Sequence, residues 1–264
     1  MNKAQIIAII VAALLFLGLY GGLSTKTDKQ KVVEQSRSLQ GETTSFESLL
    51  ADATAHLSSA QQVQLSDFEQ RMQNNTGQET GQIALLKELS GWWYNLGQLP
   101  IAGGYAEQVA EIERSDSSWS VAGGTYFNAL MQSNDPPLRQ YCAGRAVKAF
   151  ESAASLAPDV VEHRVNLALV WAENPPPNNP MQAVLMLRDL ETKHPSSPSV
   201  YNALGRLAIK TGQWEKAIER LEKSWSLEKR NSNTPCLLAK AYEGAGNIAK
   251  SNEFAQYCNA NRSQ

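Results

Sequence analysis

The sequence predicts an all-α chain, a membrane-spanning helix followed by an array of helical hairpins, and three observations carry that prediction. A glycine-turn segment near the C-terminus recurs at a spacing of 34 residues: Leu204, Gly205, Ala208 and Gly212 are echoed by Leu238, Ala239, Tyr242 and Gly246. A period of this length belongs to helix–turn–helix arrays, in which each unit buries its apolar face only by stacking on its neighbours. Elsewhere apolar residues recur at intervals of three and four, the spacing of one helix face, and no segment alternates with period two. Finally, Ile6 to Leu23 is uncharged and almost wholly aliphatic or aromatic.

The apolar run is the first element. Its 18 residues rise about 27 Å as a helix, close to the ~30 Å hydrocarbon core. A cleavable signal has a shorter apolar region, about 7–15 residues, ending in small residues. Here the run ends Gly18-Leu19-Tyr20-Gly21-Gly22-Leu23 and then meets Lys26, Lys29 and Lys31. We read residues 1–23 as an uncleaved anchor, with Tyr20 as an interfacial aromatic and Gly18 and Gly22 as a small-xxx-small pair. Its orientation is left open. Lys26, Lys29, Lys31 and Arg37 outnumber Lys3, which by the positive-inside rule holds the large domain in the cytoplasm, whereas Met1-Asn2-Lys3 resembles a positive segment that itself stays inside. Cys142, Cys236 and Cys258 do not decide the matter. Three cysteines leave at least one unpaired, their spacing fits no metal site, and they are read as buried structural thiols.

Residues 24–43 are polar, rich in Lys, Gln and Ser, and read as a juxtamembrane linker. Thr44-x-x-Glu47 fits a capping box, followed by Phe46, Leu49, Leu50, Ala53 and Leu57 on one face. Ser59-x-x-Gln62 can cap a second helix bearing Leu65, Phe68 and Met72, and Asn74-Asn75-Thr76-Gly77 is a turn. Ile83, Leu86, Leu89, Trp93 and Leu96 mark a third helix, ending near Leu99-Pro100. Gly103-Gly104 is read as separating it from a helix at Tyr105 to Arg114.

From here the chain resembles the tetratricopeptide-repeat (TPR) family, whose unit reads W-x2-L-G-x2-Y, then A-x3-F, with a closing Pro. Its opening half is matched by Trp93-x2-Leu96-Gly97 and by Trp119-x2-Ala122-Gly123-x2-Tyr126. Its closing half is matched by Ala146-x3-Phe150-x2-Ala153-x4-Pro158, by Ala183-x3-Leu187 with Pro195, and by Ala217-x3-Leu221 after Gly212-x-Trp214. The resemblance implies a right-handed TPR-like α-solenoid, with residues 44–115 as helical hairpins including a degenerate repeat and residues 116–261 as an array of about four units. The loops containing Asp135-Pro136-Pro137 and Asn174-Pro175-Pro176-Pro177 are expected to be lengthened and proline-stiffened. No further helix follows the last repeat, which is expected to leave an apolar edge.

Composition and motifs argue against catalysis. Net charge is −2, and residues 40–135 hold 12 acidic and 3 basic residues whereas residues 198–264 hold 10 basic and 6 acidic, an asymmetry suited to steering protein partners rather than nucleic acid. His56, His163 and His194 are scattered, with no metal-ligand spacing or nucleophile elbow, and neither Gly103-Gly104 nor Gly123-Gly124 has the spacing of a phosphate loop. No cofactor, metal or enzymatic activity is expected.

In TPR proteins the first helix of each pair lines a groove that receives a peptide or helix. By that resemblance the groove residues are Asn166, Asn202, Arg206, Lys210 and Lys240, with Arg206 and Lys240 one repeat apart and placed to hold a carboxylate or acidic segment. One anchor plus TPR units is similar in architecture to bacterial inner-membrane accessory proteins of the YfgM type and to assembly factors for secreted cytochromes. The expected function is a membrane-anchored scaffold or adaptor for secretion or envelope-assembly components, its domain facing the periplasm. A cytoplasm-facing adaptor for an envelope enzyme or protease, or a constitutive subunit of a large membrane complex able to self-associate, are the alternatives.

Overall fold

The computed structural model describes residues 44–74, 77, 79–229 and 233–262, and its architecture belongs to the unit Phe46–Gln264. Twelve helices occupy the described residues: α1 Phe46–Ala55, α2 Ser59–Asn74, α3 Glu79–Asn95, α4 Leu99–Glu113, α5 Asp116–Gln132, α6 Pro136–Leu156, α7 Val161–Glu173, α8 Gln182–Lys193, α9 Pro198–Lys210, α10 Trp214–Leu227, α11 Asn233–Gly244 and α12 Ile248–Arg262. None of the described helices is long and apolar enough to cross a membrane. The expected anchor at Ile6–Leu23 and the linker at 24–43 lie outside the described residues.

Three of the hairpins turn in the same way. Gly97, Gly212 and Gly246 sit at φ +76°, +69° and +77°, left-handed backbone that glycine adopts without a Cβ clash. In each turn the amide after the glycine reaches back to close the preceding helix: Gln98 N–H to the Trp93 carbonyl, Gln213 to Ala208 and Asn247 to Tyr242, at 3.0, 2.8 and 2.8 Å. This is the Schellman closure, and the next helix starts within two residues. It makes antiparallel pairs of α3 with α4, α9 with α10, and α11 with α12. Trp93 and Gly97 are therefore the end of a first helix, not the head of a repeat as the motif match implied.

The other two repeat hairpins, α5–α6 and α7–α8, lack such a glycine and close by cation capping instead. Arg139 donates to the carbonyls of Leu130 and Ser133 at the end of α5, at 2.5 and 3.0 Å, and to that of Glu173 at the end of α7, at 3.4 Å. A cation there also complements the negative end of each helix dipole. Pro136 and Pro137 are not in an extended loop. They occupy the first turn of α6, where a missing N–H costs nothing, behind an Asp135 cap that accepts the Leu138 amide at 3.1 Å. The proline stretch after α7 does remain a loop, from Asn174 to Met181.

Packing follows the hairpin order. Each helix contacts the next from α2 to α12, and the first helices of successive pairs stack as α5 on α7, α7 on α9 and α9 on α11, while α1 lies on α4. Small residues permit this. A Cβ on Gly205 of α9 would stand 2.5 Å from Leu221 of α10. Gly103 and Gly104 are interior to α4 rather than a break, because they give room to the rings of Tyr126 and Phe46. The cap of α2 also falls one residue earlier than expected: Ser58 and Gln61 exchange bonds, Ser58 N–H to Gln61 Oε1 at 2.8 Å and Gln61 N–H to Ser58 Oγ at 3.4 Å.

One expectation about the C-terminal pair changes. Cys236 and Cys258 are not free thiols but a disulfide joining α11 to α12; only Cys142 is free among the described cysteines, and burial pushes its thiol up to about 12. At the expected apolar edge, α12 turns Phe254 and Cys258 inward and exposes Lys250, Asn252, Glu253 and Gln256 together with the apolar Ile248 and Tyr257, 58% and 48% exposed.

Gly205→Val drives side-chain atoms into Leu221 and is expected to lower unfolding free energy by about 1–3 kcal/mol. Gly144→Ala, at an α6 position with open space around the added carbon, is expected to raise it by up to about 1 kcal/mol. Urea denaturation of both variants measures the contrast.

Candidate functional site

The first helices of four hairpins converge on one groove. Met131 of α5, Leu169 and Glu173 of α7, Arg206, Leu207, Ile209 and Lys210 of α9, and Leu237 and Lys240 of α11 line a cavity of about 320 Å³. Three of the five expected groove residues are thus brought together. They are not equivalent. Lys210 Nζ lies 2.8 Å from the Glu173 carboxylate and 2.7 Å from the Ala172 carbonyl, so its charge is neutralised and it caps α7. Arg206 and Lys240 have no ion-pair partner among the described residues, and they stand over an apolar floor. Two uncompensated cations beside aliphatic surface can hold a carboxylate and its apolar neighbours.

Asn202 and Asn166 are placed elsewhere. Asn202 is 8% exposed and donates to Thr234 Oγ1 at 2.6 Å, a buried bond that ties α9 to α11. Asn166 is half-buried on α7 and outside the lining. Sequence reasoning missed the apolar members Met131, Leu169, Leu207, Ile209 and Leu237. The available signal was Met131, an apolar residue on the otherwise solvent-facing stripe Val121, Gly124, Asn128 and Met131 of α5.

A second cavity, of about 470 Å³, opens between α3 and α5 over α4. Here the stacking of first helices that continues through the later repeats is interrupted. Tyr94, Ala106, Val109 and Val121 form its apolar lining, and the Lys87–Glu113 ion pair, at 2.5 Å, lies at its edge. Three of its hydroxyls donate to backbone carbonyls, Ser90 to that of Ala102, Ser118 to that of Ser115 and Thr125 to that of Val121, all at 2.9–3.0 Å, and Ser117 meets the Ser115 hydroxyl at 3.2 Å.

Two polar clusters outside the grooves are structural. Glu107, 1% exposed on α4, accepts from Arg145 at 2.5 Å and Lys148 at 2.9 Å on α6, and from the Tyr126 hydroxyl at 3.2 Å. Lys148 also lies 5.7 Å above the Trp119 ring. Burial, reinforced by Tyr141 and Glu107, pushes the Tyr126 phenol far above its ordinary value. At the heads of α5 and α7, buried His163 Nε2–H donates to Asp116 at 3.0 Å. That hydrogen bond, with the imidazole charge and the Ser117 amide, outweighs desolvation and holds the Asp116 carboxyl below its ordinary 3.8. Among the described residues no group of His, Cys, Asp and Glu is arranged to hold a metal.

Removing Glu107 strands a buried hydroxyl and two cations, so Glu107→Ala is expected to cost about 2–3 kcal/mol of stability. Glu107→Gln, which keeps an acceptor for Tyr126, is expected to cost less. Because the folded Asp116 carboxyl titrates below its unfolded value, its contribution is present above that value and is lost as pH falls through the folded pKa. Asp116→Asn is therefore expected to flatten the acid limb of the stability curve below about pH 4, measured by thermal melts across an acidic pH series.

No protein-family model matches the chain, and no curated protein matches it. Solved structures do. The thermophilic TPR protein TTC0263 of Thermus thermophilus shares 16% identity, over 67% of this chain and 89% of its own, with a TM-score of 0.51. MamA of Desulfovibrio magneticus RS-1, from residue 41 to its end, shares 18% identity over 71% of this chain and 98% of its own, with a TM-score of 0.42. At such identities the likeness to TTC0263 concerns the fold, and with the hairpin order described above it establishes this chain as an all-α solenoid of the TPR type.

Proposed function

We propose that this chain is a membrane-anchored TPR scaffold that recruits another protein through the groove at Arg206 and Lys240, with no catalytic role of its own. The observation that carries this reading is the pair of uncompensated cations set over an apolar floor contributed by four first helices. That surface has charge and shape for an acidic segment. Residues 1–23 serve as the anchor, 24–43 as the linker, 44–115 as a divergent opening segment and 116–261 as the repeat array.

The domain faces the periplasm of a bacterial inner membrane in this reading. The Cys236–Cys258 disulfide supports that side, since such bonds persist in oxidising compartments and are rare in the cytosol. The lysines after the apolar run favour the opposite side. A bond that needs oxidation to form outweighs a statistical charge rule. The architecture fits an accessory subunit of secretion or envelope-assembly machinery, in the manner of YfgM-type proteins.

The test is to crosslink the anchored full-length chain in cells, recover it with its partners and identify them, alongside a topology reporter fused after Gln264. Reporter activity in the periplasmic format and loss of most partner recovery on combined Arg206→Glu and Lys240→Glu substitution are expected. Activity in the cytoplasmic format alone overturns the orientation, and undiminished recovery overturns the groove.

A further inference from the structure

The two cavities share a wall. Val121 lines the apolar cavity between α3 and α5, Met131 lines the cationic groove, and both are exposed on the same face of α5. Between them on that face lie Gly124, with open space where a side chain would project, and exposed Asn128. The spacing 121, 124, 128, 131 follows one helical stripe, and ten residues of rise set its ends roughly 15 Å apart. Nothing charged interrupts it. At one end stand Arg206 and Lys240, without an ion-pair partner among the described residues. At the other, the hydroxyls of Ser90, Ser118 and Thr125, which could have received a polar ligand, are each spent on a backbone carbonyl.

We infer that these cavities are two subsites of one docking surface, and that its occupant is a single protein segment carrying aliphatic side chains at one end and a pair of carboxylates at the other. The inference rests on the groove reading above and specifies the partner it selects. Charge complementarity fixes the acidic end at Arg206 and Lys240. The continuous stripe on α5 fixes where the rest of the segment runs, and the apolar cavity fixes what it carries. Arg206 and Lys240 lie on α9 and α11, two and three first helices along the stack from α5. At about 8–10 Å per helix the span to them is roughly 16–30 Å, which an extended segment covers in about five to ten residues. The two ends contribute differently: the cations give selectivity and a salt-sensitive encounter, and burial of aliphatic surface gives residence.

The experiment uses the full chain purified in detergent and fluorescein-labelled synthetic peptides read by anisotropy. One peptide carries a glutamate pair in a glycine–serine background. Two others add a leucine pair five or ten residues from the glutamates. The expected result is weak, salt-sensitive binding of the first peptide and roughly tenfold or greater tightening for one of the leucine-bearing peptides. Val121→Asp, at a position 62% exposed and therefore tolerant of change, is expected to erase that tightening. Combined Arg206→Glu and Lys240→Glu is expected to abolish binding of all three. If the glutamate peptide binds but leucines add nothing at either spacing, the two-subsite inference is overturned and the cationic groove stands. If no peptide binds, both are overturned. Leucine-dependent tightening that Val121→Asp leaves untouched also overturns the inference, because the aliphatic end would then lie elsewhere.

Discussion

The structure depends on one recurring contact: a large side chain from one helix set against a position on its neighbour that has no side chain to spare. Tyr126 lies over Gly103, Phe150 over Gly123, Leu221 over Gly205 and Trp214 over Gly244. These contacts cross between α4 and α5, α5 and α6, α9 and α10, and α10 and α11, both within and between hairpins, so they fix axial distance and register. One stretch of the interface is almost wholly alanine. Ala106, Ala110, Ala122, Ala149 and Ala153 surround Trp119 where α4, α5 and α6 meet. Backbones this close make the burial of Trp93, Tyr126 and Phe150 complete, and complete burial is what turns individually marginal hairpins into a cooperative stack. No single hairpin carries enough apolar surface to do so alone.

Close approach also explains where charge is tolerated. With α4 and α6 drawn together by alanines, Glu107 is enclosed, and a lone carboxylate there would be prohibitive. Arg145 and Lys148 reach it from α6 while their own side chains remain 37% and 50% exposed. Only one of the three charges is fully desolvated, which avoids most of the penalty of a buried ion pair. Such a cluster serves register more than stability, since a slipped α6 would leave the carboxylate without a partner. Where first helices cease to stack, between α3 and α5, the same geometry produces the opposite result: an open cavity instead of a filled interface.

The repeat was legible because it is written in positions with a single solution. Leu204 and Leu238, Gly212 and Gly246 recur at the same period because each Schellman turn demands a left-handed residue and each core site a large aliphatic one. Arg206 and Lys240 stand one period apart on that lattice, and both line the same cavity. What was not legible depends on neighbours. Gly103-Gly104 carries the local signal of a break, yet the pair is helical because Tyr126 and Phe46 require the space. Pro136-Pro137 signals a loop or a helix start equally, and the Asp135 cap decides for the start. Asn202 has the right phase for the groove, but Thr234 opposite it consumes its amide. Cys236 and Cys258 carry no pairing signal until α12 folds back on α11 and brings their backbones together.

The wall of the groove that carries Lys240 is also the least supported by stacking, because α11 has a hairpin on only one flank of the array among the described residues. Its position is set from both ends. At the turn, Gly246 closes the hairpin through the Asn247–Tyr242 hydrogen bond. At the opposite end the Cys236–Cys258 disulfide holds α12 against α11, and closing a loop of this length removes unfolded-state entropy worth about 3 kcal/mol. Between them Tyr242 stacks on Phe254, with ring centroids 5.7 Å apart and planes within 9°, and donates to Glu222 of α10 at 2.5 Å. Cys236 is one helical turn before Lys240 and adjacent to Leu237, so the bond that ties down α12 fixes the two residues α11 contributes to the groove. A cation on a frayed terminal hairpin would sample many positions and lose selectivity to that disorder. Held at both ends, α11 presents Lys240 to the groove from a fixed helix, the condition that the proposed recognition of paired carboxylates requires.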